Sequence, residues 1–198
     1  MGQIFYMMGK SASGKDSIYA DILSHNELGL KPFVIYSTRP IRAHETDGVE
    51  YHFISIERMR QMQEAGSIIE LRVYHTIQGP WYYFTADDEH ICLEKCNYLA
   101  LGTLESFQKI RQYYGEKQVI PVYIEVEDGE RLKRALIREQ SETPPDYEEM
   151  CRRFLADQKD FSEENIEKAG IERKFLNNGK RDECVREILE FLKTEIEE

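Results

Sequence analysis

"GKSASGKDS", residues Gly9 to Ser17, decides how this chain folds. It follows the phosphate-binding pattern G-x-x-x-x-G-K-[ST] at every place but the last, where Asp16 replaces the hydroxyl residue. The apolar run "IFYMMG" (4–9) before it suits a strand buried on both faces. After it, Ile18, Ile22 and Leu23 recur at helical spacing. A glycine-rich loop between strand and helix makes the match structural, because backbone N–H groups and a helix N-terminus then converge on an anion. Gly9 and Gly14 allow the wrap, Lys10, Ser11, Ala12 and Ser13 line it, and Lys15 adds a full charge. At the metal end, Asp16 offers a hard oxygen that suits magnesium. Ser17, one helical step of about 100° further round, is the competing ligand.

Composition narrows the rest. A chain of 198 residues with 41 % hydrophobic and 32 % charged residues reads as one globular unit. The net charge of −11 argues against a general nucleic-acid binder. Apolar runs are too short for a membrane helix and the N-terminus lacks a leader pattern, so a cytoplasmic protein is expected. Cys92, Cys96, Cys151 and Cys184 have no metal-ligand spacing and read as reduced thiols.

Beyond the loop, "FVIYS" (33–37) reads as a strand and "STRPIRAHETDGVE" as a polar loop. From Tyr51 to Thr85, "YHFIS", "IIELRVYHTI" and "WYYFT" around a helix near 56–65 predict a small antiparallel subdomain. Strand and helix then alternate again: "YLALG" (98–102), a helix through Leu104, Phe107 and Ile110, and a strand starting near Pro121. Residues 127–165 read as charged helix broken at "SETPPD", before the strand "KFLN" and a last helix. The fold class expected is α/β, a three-layer parallel sheet flanked by helices. An inserted subdomain (35–86) and a helical lid (129–150) interrupt a core of 1–34, 87–128 and 151–198.

In "YSTRPIR", Arg39 and Arg42 can present two guanidinium forks to one phosphate. The segment "TRPIRAHETDGVEYHFIS" resembles the guanylate kinase pattern T-R-x-P-R-x-G-E-x-x-G-x-D-Y-x-F, and "GSIIE" and "YYFT" follow in order. The resemblance implies transfer of the γ-phosphoryl of ATP to GMP or dGMP with magnesium. It implies that Arg39, Arg42, Tyr51 and Tyr83 hold the acceptor's phosphate, that Glu70 accepts from guanine N1 and N2, and that Thr85 meets O6. Asn177 in "FLNNG" would lie near the ATP base. The chain departs from the family at Ile35, where a base-binding serine is expected, and at Ala100 and Gly102, where an "LDID"-like strand would carry aspartates. "TIQGPWYYFT" is also longer than its counterpart.

Phosphoryl transfer needs positioned positive charge. Arg134 and Arg138 lie four apart on one predicted helix, and Arg152 and Arg153 follow the "TPP" break. The resemblance selects Arg153, with Arg134 or Arg138, as catalytic beside Lys15. The expected partners are ATP and a nucleoside monophosphate, with no nucleic acid or membrane, in a monomer or homodimer. Two other readings stand beside this one: a kinase for another phosphorylated acceptor such as a ribose phosphate, and a non-catalytic binding module. The retained Lys15 and Gly14 speak against the second.

Overall fold

A computed structural model describes residues 1–76 and 79–197. Two sheets divide the work. The core sheet is parallel throughout, in the order β2 (Lys31–Pro32), β7 (Tyr98–Gly102), β1 (Ile4–Met8), β8 (Val119–Glu125), β9 (Lys174–Leu176). Its central strand β1 is buried at all five residues, as the unbroken apolar run requires. Alternate β1 side chains feed two cores. Ile4, Tyr6 and Met8 pack with Phe107 and Ile110 of helix α3 (Leu104–Tyr114). Phe5 and Met7 pack with Ile18 and Ile22 of α1 (Lys15–Ser24) and with Ile188 and Leu192 of α7 (Arg181–Glu197).

The second sheet runs β4 (His52–Phe53), β3 (Tyr36–Ser37), β6 (Gly79–Ala86), β5 (Ile68–Thr76). It closes over α2 (Ile56–Glu64) through Tyr36, Met59, Met62 and Phe84. The sheet is mixed, which corrects the expectation of an antiparallel subdomain: β3 pairs β6 antiparallel but β4 parallel. The loop from Thr38 to Tyr51 is long enough to carry the chain back to the same end, the condition for a parallel pair. Ile77 of the expected strand, and Gln78, lie outside the described residues.

Two further expectations change. The run 33–37 is not one strand: β2 belongs to the core sheet and β3 to the small one. Phe33 still bonds to Leu99 O (2.8 Å), while Ile35 O already accepts from His52 (2.9 Å). An apolar run can serve two cores in succession, and its hydrophobicity does not mark where it changes sheet. Pro121 is also interior to β8, not its first residue. It is tolerated because β9 pairs only from Tyr123 onward, leaving β8 a free edge beside the proline.

Helices α4 (Asp128–Gln140), α5 (Tyr147–Asp160) and α6 (Glu163–Lys168) follow β8. The four cysteines are free thiols. Among the described residues no helix is long and apolar enough to cross a membrane.

Candidate active site

The phosphate loop joins β1 to α1, as its context predicts. Glycine is needed at both ends. A Cβ at Gly9 would lie 2.6 Å from Ile124 O, and Gly14 adopts φ +83° with a would-be Cβ 2.7 Å from Asn177 Nδ2. Buried Asn177 donates that amide to Ser13 O (2.8 Å), so it braces the loop from β9's end. Ser13 Oγ is buried in the loop with no hydrogen-bond partner among the described residues. Lys10 bonds to Gln158 and lies 3.7 Å from Asp128. Ser11 N donates to Asp157 Oδ2 (2.7 Å). Ala12 takes a positive φ of 63° at the apex.

Lys15 Nζ lies 3.4 Å from the Asp16 carboxylate, which is exposed. Ser17 is exposed one residue further on. Mg²⁺ takes one or two carboxylates plus substrate phosphates, not an all-protein cage. An exposed carboxylate beside the loop lysine fits that pattern. Among the described residues no group of three or more His, Cys, Asp or Glu side chains is placed to hold a metal.

Two cavities meet at Lys15. One, of about 1080 Å³, is lined by Lys15, Ile35, Tyr51, Tyr83, Trp81 and the α5 arginines Arg152 and Arg153. The other, of about 620 Å³, is lined by Gly9, Ser11, Lys15, Glu105, Asp157 and Lys168. Arg72, Tyr74, Gly102 and Thr103 also border both.

On the acceptor side, Arg39 is 4 % exposed and forks onto Glu45, with Nη1 2.6 Å from Oε2 and Nη2 2.5 Å from Oε1. Its guanidinium lies over the rings of Tyr51 (5.0 Å) and Phe53 (5.1 Å), which pack edge-on to each other at 5.7 Å. Tyr83 packs edge-on against Tyr51 at 5.4 Å. These hydrogen bonds from Arg39 hold the Glu45 carboxyl down to about 2. Glu45 also accepts from the backbone N–H of Arg42, whose side chain is exposed.

Glu70 and Thr85 face each other across β5 and β6, and Thr85 Oγ1 donates to Glu70 Oε1 (3.1 Å). Arg72 lies on the same strand face as Glu70, two residues on. Its Nε and Nη2 donate to Glu70 Oε2 (3.0 Å) and Oε1 (3.1 Å). Sequence reading missed Arg72; the "ELR" spacing was the available signal.

On α5, Arg152 and Arg153 both grip Glu149, at 2.5 and 2.7 Å, and hold its carboxyl down to about 2. Arg134 pairs with Glu130 and donates to Asn177 O (2.9 Å). Arg138 borders a crevice with Ser11 and Arg153. The helix places another arginine against the loop. Arg131 is 1 % exposed, stacks over Phe154 at 4.0 Å, and reaches Ser11 O (3.3 Å), Asp157 (3.2 Å) and Asp128 (3.2 Å). Sequence reading passed it over because charge on a helix suggests a solvated face, whereas here Leu132, Leu136 and Ile137 are the exposed ones.

On β7, the residues at the aspartate positions are buried Ala100 and partly buried Gly102. The space a side chain at 102 would need belongs to the Tyr6 hydroxyl, 2.2 Å from a would-be Cβ. That hydroxyl donates to Ser106 Oγ (2.8 Å), and burial pushes its pKa up to about 12.

Comparison with known proteins agrees with this arrangement. A family model described as guanylate kinase matches residues 2–194. The guanylate kinase of Mycoplasma mobile is 29 % identical over 203 residues, spanning 100 % of this chain and 95 % of that protein. That of Porphyromonas gingivalis is 28 % identical over 138 residues, 69 % of this chain and 71 % of that one. The crystal structure of guanylate kinase from Anaplasma phagocytophilum superposes with a TM-score of 0.66 at 18 % identity, over 98 % of this chain and 86 % of that one. Since the family model spans nearly its whole length, the chain belongs to the guanylate kinase family of nucleoside monophosphate kinases.

Proposed function

We propose that the chain transfers the γ-phosphoryl of ATP to GMP or dGMP. The observation that carries this reading is the cavity of about 1080 Å³ that Lys15, the tyrosines beside Arg39, and Arg152 and Arg153 line together. In-line transfer asks for little more than two phosphates brought together under positive charge. Lys15 and the loop amides hold the donor's phosphates. Arg39, with Tyr51, Tyr83 and Arg42, receives the acceptor's phosphate, and Ile35, Glu70 and Thr85 bound the base end. Arg152 and Arg153 close the charge from α5, supported from α4 by Arg134 and Arg138.

Asp16 is the residue that would hold Mg²⁺ together with the phosphates, with Ser17 the alternative. The ion would neutralise charge developing between the nucleotides. The β7 strand offers no carboxylate for this, so Asp16 supplies what that strand lacks.

A coupled assay of ADP release over nucleoside monophosphates and sugar phosphates tests the reading. Turnover of GMP and dGMP is expected, with ribose 5-phosphate inert. Lys15→Ala should remove turnover and leave the melting temperature within about 1 °C, because among the described residues the Lys15 ammonium pairs only with exposed Asp16. Preference for a sugar phosphate, or activity of Lys15→Ala within a few-fold of wild type, would refute it.

A further inference from the structure

Arg72 stands between the base-end carboxylate and the cavity. The Glu70 side chain has no exposed surface and Thr85 is 1 % exposed, whereas Arg72 borders both cavities. A carboxylate has about four lone-pair positions. Three of Glu70's are taken: Arg72 Nη2 and Thr85 Oγ1 on Oε1, and Arg72 Nε on Oε2. The guanidinium keeps three of its five N–H donors, two on Nη1 and one on Nη2, without a partner among the described residues. Ile35, which also lines the larger cavity, presents only hydrocarbon. At Glu70, the polar chemistry left for an entering base is therefore the donors of Arg72, not a free carboxylate.

A base edge that satisfies adjacent donors carries adjacent acceptors. In purines that edge is O6 with N7, the pair an arginine fork reads bidentately. We propose that Arg72, positioned by Glu70, is the base-reading residue of this kinase. It selects 6-oxopurine nucleoside monophosphates through O6 and N7 and is indifferent to the 2-amino group. The inference rests on the nucleoside monophosphate kinase reading above and deepens it. A site that pairs Glu70 with guanine N1 and N2 strongly rejects a base lacking the amine, because a buried acceptor is then left unpaired. Here Arg72 has already satisfied that acceptor, so hypoxanthine leaves nothing unpaired. Adenine turns an N6 donor toward the guanidinium and is rejected. Uracil keeps a carbonyl but lacks the neighbouring ring acceptor.

The test is kcat/KM for GMP, IMP, AMP and UMP with wild-type and Arg72→Ala enzyme. For wild type, IMP is expected within about tenfold of GMP, and AMP and UMP at least about 100-fold below. Arg72→Ala frees Glu70 toward the base, so the GMP-over-IMP preference should rise at least about tenfold above wild type. Wild type favouring GMP over IMP by about 100-fold or more overturns the proposal and leaves GMP phosphorylation standing. An unchanged GMP-to-IMP ratio in a folded Arg72→Ala overturns it as well. If Arg72→Ala does not fold, the wild-type ratio decides alone. Absence of turnover with every nucleoside monophosphate removes the kinase reading and this one together.

Discussion

Gly102→Ala adds one methyl where the core has no room, and its cost can be worked from the contacts. The new Cβ would lie 2.2 Å from Tyr6 Oη, 2.9 Å from Tyr6 Cε1 and 2.8 Å from Ser106 Oγ. Tyr6 is 3 % exposed and its ring leans on Phe107 with centroids 5.7 Å apart, so it has no open space to move into. Overpacking of this kind costs about 1–3 kcal/mol. Displacing the hydroxyl from Ser106 adds about 1–3 kcal/mol for unsatisfied buried groups. A total of about 2–6 kcal/mol corresponds to a drop in melting temperature of about 4–24 °C for a chain of this size. Differential scanning fluorimetry measures it. Tyr6→Leu removes both clashing tyrosine atoms and leaves only the Ser106 Oγ contact, so Gly102→Ala should cost at least about 1 kcal/mol less in that background than alone. A single variant melting within about 1 °C of wild type would refute the reasoning, and so would full additivity in the double variant. The same clash excludes an aspartate, which gives a physical reason for β7 to lack the carboxylate that related enzymes are expected to carry there.

Arg131→Ala should destabilise the chain by about 3 kcal/mol in urea unfolding, because it leaves Asp157 half-buried without its cation. By loosening the Ser11 segment it should also weaken ATP binding about tenfold by titration; stability within about 1 kcal/mol of wild type would deny it a structural role. Glu45 gives a pH signature. Its carboxyl is held from an ordinary 4.5 down to about 2 by the Arg39 fork, so the folded state binds that proton less tightly than the unfolded one. The resulting stabilisation is complete above about pH 4.5 and is lost as pH falls toward 2. Wild type should therefore lose more melting temperature than Glu45→Gln across that interval; parallel curves for the two proteins would show that Glu45 is not paired in the folded state.

Local backbone chemistry encodes the part of this protein that is readable without a fold. Gly9, Gly14 and Lys15 are contiguous, and the strand before them and helix after them follow from apolar spacing, so the phosphate loop and parallel core were legible without coordinates. The motif order likewise placed Arg39, Tyr51 and Tyr83 in one subdomain. Tertiary structure decided which of several like residues faces inward. On α4 it is Arg131, because Phe154 and Asp157 of the neighbouring helix supply a ring and a counter-charge that no pattern within 128–140 announces. On β5, alternation puts Glu70 and Arg72 on one face. Only the pairing of β5 with β6, which sets Thr85 against Glu70, buries that carboxylate and leaves Arg72 bordering the cavity. Periodicity fixes direction relative to a residue's own element, whereas the partner that satisfies a buried charge comes from elsewhere in the chain.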